Sequence, residues 1–235
     1  MKPKFATVRP KRRPRFDPRR STVIFFAALL PAALLAWGVT ASVRGGSDGP
    51  TKKDPAPVRV EIAGEIMLIP GNLIRFHSTR DNGAEQVDLL LKWPGLEAYS
   101  DSFNGSLDGA DGTPLLHASI GTRDNPYDSD AMLEPLYSQF FAEEASDSPE
   151  GLTGRVMAAN SAYGGEVIYF SREGEPRFVT RCLSSRNEVA DTCMRTVNIG
   201  SRLSLLYRFN RAYLADWRGI DSGLKKLVAE FLAAG

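Results

Sequence analysis

Residues 22–43, TVIFFAALLPAALLAWGVTASV, run for 22 positions without a charge. No other stretch restricts the chain so strongly. At about 1.5 Å per residue such a helix reaches about 33 Å, enough for a hydrocarbon core of about 30 Å. Pro31 is tolerated in a spanning helix, and Trp37 lies toward the far end, where an indole suits the interface. A buried helix in a soluble core is seldom apolar on every side. A cleaved signal peptide competes, because Val39-Thr40-Ala41 has the small-x-small spacing of a cleavage site. Both the apolar run and its 21-residue leader are long for a signal. The expectation is an uncleaved signal anchor, a transmembrane helix at 22–43 with the lipid bilayer as its partner.

Charge divides the chain around this block. Residues 1–20 hold nine basic side chains against Asp17 alone, a net +8, whereas residues 44–235 hold 20 bases and 27 acids, a net −7. The whole chain therefore sums to +1 over 235 residues, which conceals the split. Pro3, Pro10, Pro14 and Pro18 interrupt the basic tail, and few apolar groups there could offset the entropy of ordering. Residues 1–21 are expected to be a disordered cytoplasmic tail. Its cations act first as a topology signal, and an anionic lipid surface, at about 1 kcal/mol per cation, suits them better than nucleic acid. The positive-inside bias places the N-terminus in the cytoplasm and everything after the span outside it. The expected address is a bacterial inner membrane, single-pass, with a periplasmic C-terminal domain.

Residues 44–57, RGGSDGPTKKDPAP, have a linker composition. Residues 58–235 are long enough for one domain with its own core. Val87, Leu89, Leu91 and Trp93 alternate with polar neighbours, as do Leu203, Leu205, Tyr207 and Phe209. Both runs read as half-buried antiparallel strands. Weaker strand candidates are 58–69, 115–120, 167–170, 177–183 and 193–199, with turns at Gly64, Gly164-Gly165, Gly174 and Gly200. Leu214, Trp217, Ile220, Leu224, Leu227, Val228, Phe231 and Leu232 step by three and four, predicting a C-terminal helix with Asn210 as N-cap. Gly219 and Gly223 could divide it into two near Asp221. A central helix is predicted at about 135–144, with Leu136, Tyr137, Phe140 and Phe141 as its stripe and Pro135 in its first turn. The fold class is α+β: one N-terminal transmembrane helix, then a mainly antiparallel sheet with a central and a C-terminal helix.

Cys182 and Cys193 lie on adjacent strand candidates. An oxidising compartment favours a disulfide between them, and the spacing is not Cys-x-x-Cys, the redox-active pattern. Two cysteines are too few for a four-thiolate zinc site, and His77 and His117 lack paired ligand spacing.

The chain holds no Gly-x-Ser-x-Gly elbow, phosphate-binding Gly-rich loop or His-Glu-x-x-His. Ser222-Gly-Leu-Lys225 matches Ser-x-x-Lys but lacks the companion motifs, so a solvent-facing helical turn is the simpler reading. Asp101, Asp108 and Asp111, and then Asp124, Asp128 and Asp130, form two acidic runs. Calcium wants six or more oxygens, and neither run has EF-hand spacing, so turn-forming roles are expected. His77 lies between Arg75 and Arg80 as a partly exposed residue, and His117 reads as a near-core histidine. No catalytic residue, cofactor or metal ligand is assigned, and the chain reads as a non-enzyme.

Four features carry a resemblance: IPGNLIRF at 69–76, DLLLKWP at 88–94, the two cysteines, and Asp216-Trp217-Arg218. With its basic N-terminus and apolar block, the chain resembles uncharacterised bacterial single-span inner-membrane proteins with a periplasmic domain. The resemblance implies a bacterial inner membrane and brings no activity. The resulting expectation is a membrane-anchored, extracytoplasmic accessory or interaction protein of the cell envelope, with an envelope protein as partner and no nucleic acid. Two alternatives stand beside it: an envelope hydrolase, which needs a cleft with convergent polar groups, and a small-ligand sensor domain.

Overall fold

The computed structural model describes residues 55–80, 83–99, 106–174, 177–183 and 191–235, and for 76–80 and 83 the backbone alone. The expected tail, span and most of the expected linker (1–54) lie outside the described residues. The described chain falls within one compact unit, Gly49–Gly235.

It begins with a hairpin, β1 (Pro57–Ile62) and β2 (Glu65–Pro70). The register pairs Ile62 with Glu65, leaving a two-residue turn at Ala63 and Gly64 with φ of 51° and 80°. Two left-handed positions give the turn the twist that a hairpin needs, and Gly64 takes one without strain.

A ten-stranded antiparallel sheet follows. Its strands are β3 (Ile74–Arg80), β4 (Gly83–Lys92), β5 (Glu97–Ala98), β6 (Leu115–Thr122), β7 (Phe141–Ser146), β8 (Leu152–Met157), β9 (Glu166–Ser171), β10 (Val179–Leu183), β11 (Thr192–Ile199) and β12 (Leu203–Asn210). The spatial order is β3-β4-β6-β12-β11-β10-β9-β8-β7, with β5 on β4. Alternation decides the faces. Val87, Leu89 and Leu91 of β4, Leu116, Ala118 and Ile120 of β6, and Leu203, Leu205, Tyr207 and Phe209 of β12 are all buried in one core. Their neighbours in sequence point to the other side.

The inner face is closed by the β1–β2 hairpin and by α1 (Trp217–Ala234). Trp217, Ile220, Leu224, Val228 and Phe231 are its buried stripe. Each large aliphatic or aromatic side chain removed from water here stabilises the fold by about 1.5–3 kcal/mol. Asn210 caps the preceding 3-10 turn (Arg211–Asp216), its Oδ1 accepting from the Ala212 N–H at 3.0 Å. The helix is continuous through both glycines. Gly219 faces the Trp93 ring, which a Cβ would meet at 3.0 Å, and Gly223 would meet Leu96 at 3.2 Å. The Trp93 indole N–H donates to Asp216 Oδ2 at 3.2 Å, fixing the ring where it crowds the helix. Gly219→Ala is therefore expected to forgo the gain of about 1 kcal/mol that replacing an exposed helical glycine normally brings. Urea melts check this, and a full gain would show that Trp93 yields.

Two parts of the expected architecture are corrected. The central helix is absent. Residues 137–140 make a single 3-10 turn, and Phe141 already begins β7, where it pairs with Met157. Aromatic side chains fit strand pairing, and Leu133 and Tyr137 bury against Met157, Ile168 and Val179 on the sheet's outer face. Tertiary packing thus overrides the three-four spacing. The second correction concerns the membrane. Among the described residues no helix is long and apolar enough to cross a bilayer. The α+β description with a transmembrane helix, and the single-pass inner-membrane address built on it, give way to a mostly antiparallel sheet with one C-terminal helix. Residues 22–43 themselves lie outside the described residues.

Candidate functional site

The outer face of the sheet is only partly covered. At one end residues 133–141 close over β8, β9 and β10, and elsewhere Tyr99 packs on Leu90 and Leu115. Between them β4, β6, β12 and β11 expose a polar trough. The register sets its floor: Gln86 pairs with Gly121, Ser204 with Gly121, Leu206 with Ser119, and Asn198 with Ser204. The trough encloses about 440 Å³. It continues past Tyr127 into a smaller hollow of about 230 Å³ beside Met132, Met194 and Arg181.

Residues 123–129 form its wall and are firmly held. β10 pairs with β11 only as far as Met194, and beyond that point residues 126–129 occupy the edge of β11. Ser129 N–H donates to Thr196 O at 3.0 Å, and Thr196 N–H donates to Ser129 Oγ at 2.9 Å. Asn198 donates from its side-chain amide to Pro126 O at 3.1 Å. Arg123 donates to the carbonyls of Gly200 and Pro126 at 3.2 and 2.9 Å. Asn125 Oδ1 accepts from the Tyr127 N–H at 2.9 Å, a local turn bond of the kind asparagine favours. The Tyr127 side chain nevertheless stands 57% exposed, the most exposed large apolar group among the described residues.

Beside the trough, Asp88 gathers polar groups. Its Oδ1 accepts from Ser119 Oγ at 2.5 Å and from Gln86 Nε2 at 2.7 Å, and His117 Nε2 lies 3.9 Å away. Burial lowers the His117 pKa, with Asp88 opposing and Arg208 adding to the shift, so the ring stays neutral near pH 7. A hydrolytic nucleophile gives its proton to a base such as histidine. Here the Ser119 hydroxyl donates a hydrogen bond to the Asp88 carboxylate and His117 lies 3.9 Å from that same oxygen, so the trio braces β4 against β6.

A second concavity of about 880 Å³ opens where the β7–β8 and β9–β10 turns meet the start of α1. Phe178 and Trp217 line it with centroids 4.8 Å apart, and the Arg218 guanidinium lies 4.2 Å over the Trp217 ring. At its base is a buried ionic network. Arg195 is 2% exposed; its Nε donates to Asp221 Oδ1 at 3.1 Å and its remaining nitrogens donate to Val179 O and Arg177 O. Asp221 also accepts from Tyr207 at 2.8 Å and from Lys225 at 2.7 Å. Burial alone would raise the Asp221 carboxyl, but the charges and hydrogen bonds of Arg195, Lys225 and Tyr207 outweigh it and hold the group below its ordinary range. Burial drives the Tyr207 phenol well upward. The network ties helix to sheet, and every oxygen of Asp221 is already engaged.

The residues singled out by sequence fall in separate places. Cys182 and Cys193 pair across β10 and β11 and form a disulfide, both buried in the core. Ser222 Oγ donates to the Arg218 carbonyl at 2.6 Å, and Lys225 is engaged by Asp221, so the Ser-x-x-Lys match is a helical turn. Asp111 accepts from Thr113 N–H, and Asp128 from Ala131 N–H, both local turn bonds. Asp108 accepts from Asn210 and Tyr213, and Asp130 pairs with Arg177. Asp101 and the His77 side chain lie outside what is described. Among the described residues no group of three histidine, cysteine or acidic side chains is placed to hold a metal ion. Sequence reasoning missed Tyr127, Asp88 and the Arg195–Asp221 pair. Only the first had a signal, an aromatic set inside an Asn-Pro-Tyr-Asp turn.

The sheet, its single helix and its open outer face define a β-rich module with a preformed surface. The chain matches no protein-family profile and no curated protein. It does share its fold with a solved structure, that of Smlt3025, an immunity protein of the Stenotrophomonas maltophilia type IV secretion system. The two superpose with a TM-score of 0.53 at 19% identity, over 80% of this chain and 99% of that one.

Proposed function

We propose that this chain is a non-catalytic accessory protein that binds another protein of the bacterial envelope, in the role of an immunity protein. It would protect its own cell by holding a secretion-system effector. The observation that carries this reading is the fold shared with Smlt3025 along nearly all of that protein. Three further features support it. The Cys182–Cys193 disulfide suits an oxidising, extracytoplasmic compartment. The Ser119 hydroxyl donates to Asp88, which ties β6 to β4 beside the trough. The stretches at 69–76 and 88–94 resemble bacterial envelope proteins. The test is a competition assay. Cells lacking this chain should lose viability when mixed with wild-type siblings, and expression of the full chain should restore them. Equal survival of the two strains would overturn the protective role.

A further inference from the structure

We propose that the outer-face trough centred on Tyr127 is the surface that receives the partner, and that the partner presents a basic protein segment to it. This deepens the protein-binding reading above and rests on it.

Preorganisation comes first. Ordering a loop on binding costs free energy, and a loop ordered beforehand does not incur that cost. Residues 123–129 are already fastened to β11 and to the β11–β12 turn by backbone and side-chain bonds. A wall so well held, yet carrying a tyrosine 57% exposed, presents a rigid amphipathic anchor at low entropic cost.

Composition comes second. The trough offers Gln86, Ser119, Thr196, Asn198 and Ser204 around that tyrosine, with Met132 and Met194 in the adjoining hollow. Ser119, Gln86, Asn198 and Ser204 each donate to an internal acceptor, which holds them in place around the aromatic anchor with their own oxygens still able to accept. Methionine is enriched at protein interfaces while lysine is depleted. No lysine lines either hollow.

Charge fixes the chemistry of the occupant. Glu85, Asp124 and Asp128 line the two hollows against a single guanidinium, Arg181, which is itself paired with Glu166 at 3.0 Å. The nearby Arg123 guanidinium is engaged by two carbonyls. Residues 44–235 carry a net −7. Carboxylates set in a recess of an acidic body draw a cationic partner and hasten encounter. The larger cleft has less of this bias, for Arg172 and Arg218 line it together with Glu150 and Glu173, and its third carboxylate, Asp221, is paired with Arg195. Its rings are also covered by the guanidiniums of Arg195 and Arg218.

The test uses the full-length chain in its own cells, with a photo-crosslinking amino acid at position 127 or, separately, at position 218 in the cleft. Irradiation at 127 should yield one protein adduct whose captured peptide holds more lysine and arginine than aspartate and glutamate. The yield should fall about fivefold in Asp124→Lys, and again in Glu85→Lys as an independent variant, because each reverses a charge that the partner meets. Melting curves identify any variant that does not fold, and Asp124 and Glu85 are both exposed positions. No adduct at 127 would overturn the proposal, as would an acidic captured segment, a second copy of this chain, a glycan, or an unchanged yield in the folded charge variants. An adduct at 218 but not at 127 would move the interface to the cleft and leave the protein-binding reading standing. Failure of the sibling competition alone would remove the protective role and leave the trough intact.

Discussion

Asp221→Ala is expected to destabilise the domain by about 3–5 kcal/mol, a melting point lower by roughly 10 °C for a domain of this size. Most of that cost comes from Arg195, which would stay buried with its charge uncompensated. Two carbonyls would still accept from its guanidinium, but they carry no net charge to offset it. Replacing both partners tests the cause. Arg195→Met combined with Asp221→Leu should recover part of the loss, because an apolar pair of similar volume is often as stable as a buried ion pair, while the buried Tyr207 hydroxyl is left without its acceptor. A double variant as unstable as Asp221→Ala would show that shape, and not charge, holds this position. The pH dependence has a definite sign. The folded Asp221 carboxyl titrates below its ordinary 3.8, so its contribution is present above that value and fades as pH falls through the lower folded one. The gap between wild type and Asp221→Ala in urea melts should therefore narrow in acid below about pH 4.

The second large effect belongs to the disulfide. Cys182 and Cys193 sit directly opposite each other in the register of β10 and β11, and both are buried. Their bridge closes a short loop, which in the chain-entropy model stabilises the fold by about 3 kcal/mol. Cys182→Ala with Cys193→Ala is expected to lose about that much, with some addition for the space left behind. Wild type melted with and without reductant should show a gap of the same size. Peptide mapping without reduction should recover residues 182 and 193 in one linked species. Two alkylatable thiols in protein made under oxidising conditions would reject the bridge.

Some of this architecture was open to reading from the residues alone. The alternation in β4 and β12 is readable because each buries one face under the hairpin and helix and leaves most of the other toward water, Leu90 beneath Tyr99 being the exception. The helix stripe from Trp217 to Phe231 was equally plain, since its contacts repeat every three or four residues. β7 and β8 left no such trace. β7 is an edge strand whose register shifts between Phe141 and Ala145, and its FAEEAS sequence shows no period of two. In β8, Gly154 gives way to the Tyr169 ring, which a Cβ would meet at 2.8 Å, so the pattern records a close approach rather than a face. The central helix failed for a related reason, because aromatic residues spaced for a helix found a strand partner and the outer face of the sheet. The site was least legible of all. The Asp-rich run at 124–130 does form turns, as its composition suggests, but the exposure of Tyr127 depends on β11, which is remote in sequence. Arg195 and Asp221 likewise meet only because a strand and a helix cross, and nothing local announces the pair.

The first hairpin and the last helix share one core, although most of the described chain lies between them. Folding of this kind cannot finish early. Until α1 packs, the inner side of the sheet lacks the helix part of its cover, and β12 side chains that share this core are less shielded from water. Long-range closure of this sort is slow, and the half-built intermediate is prone to clump. Apolar sheet surface is therefore expected to stay open in this chain until α1 docks.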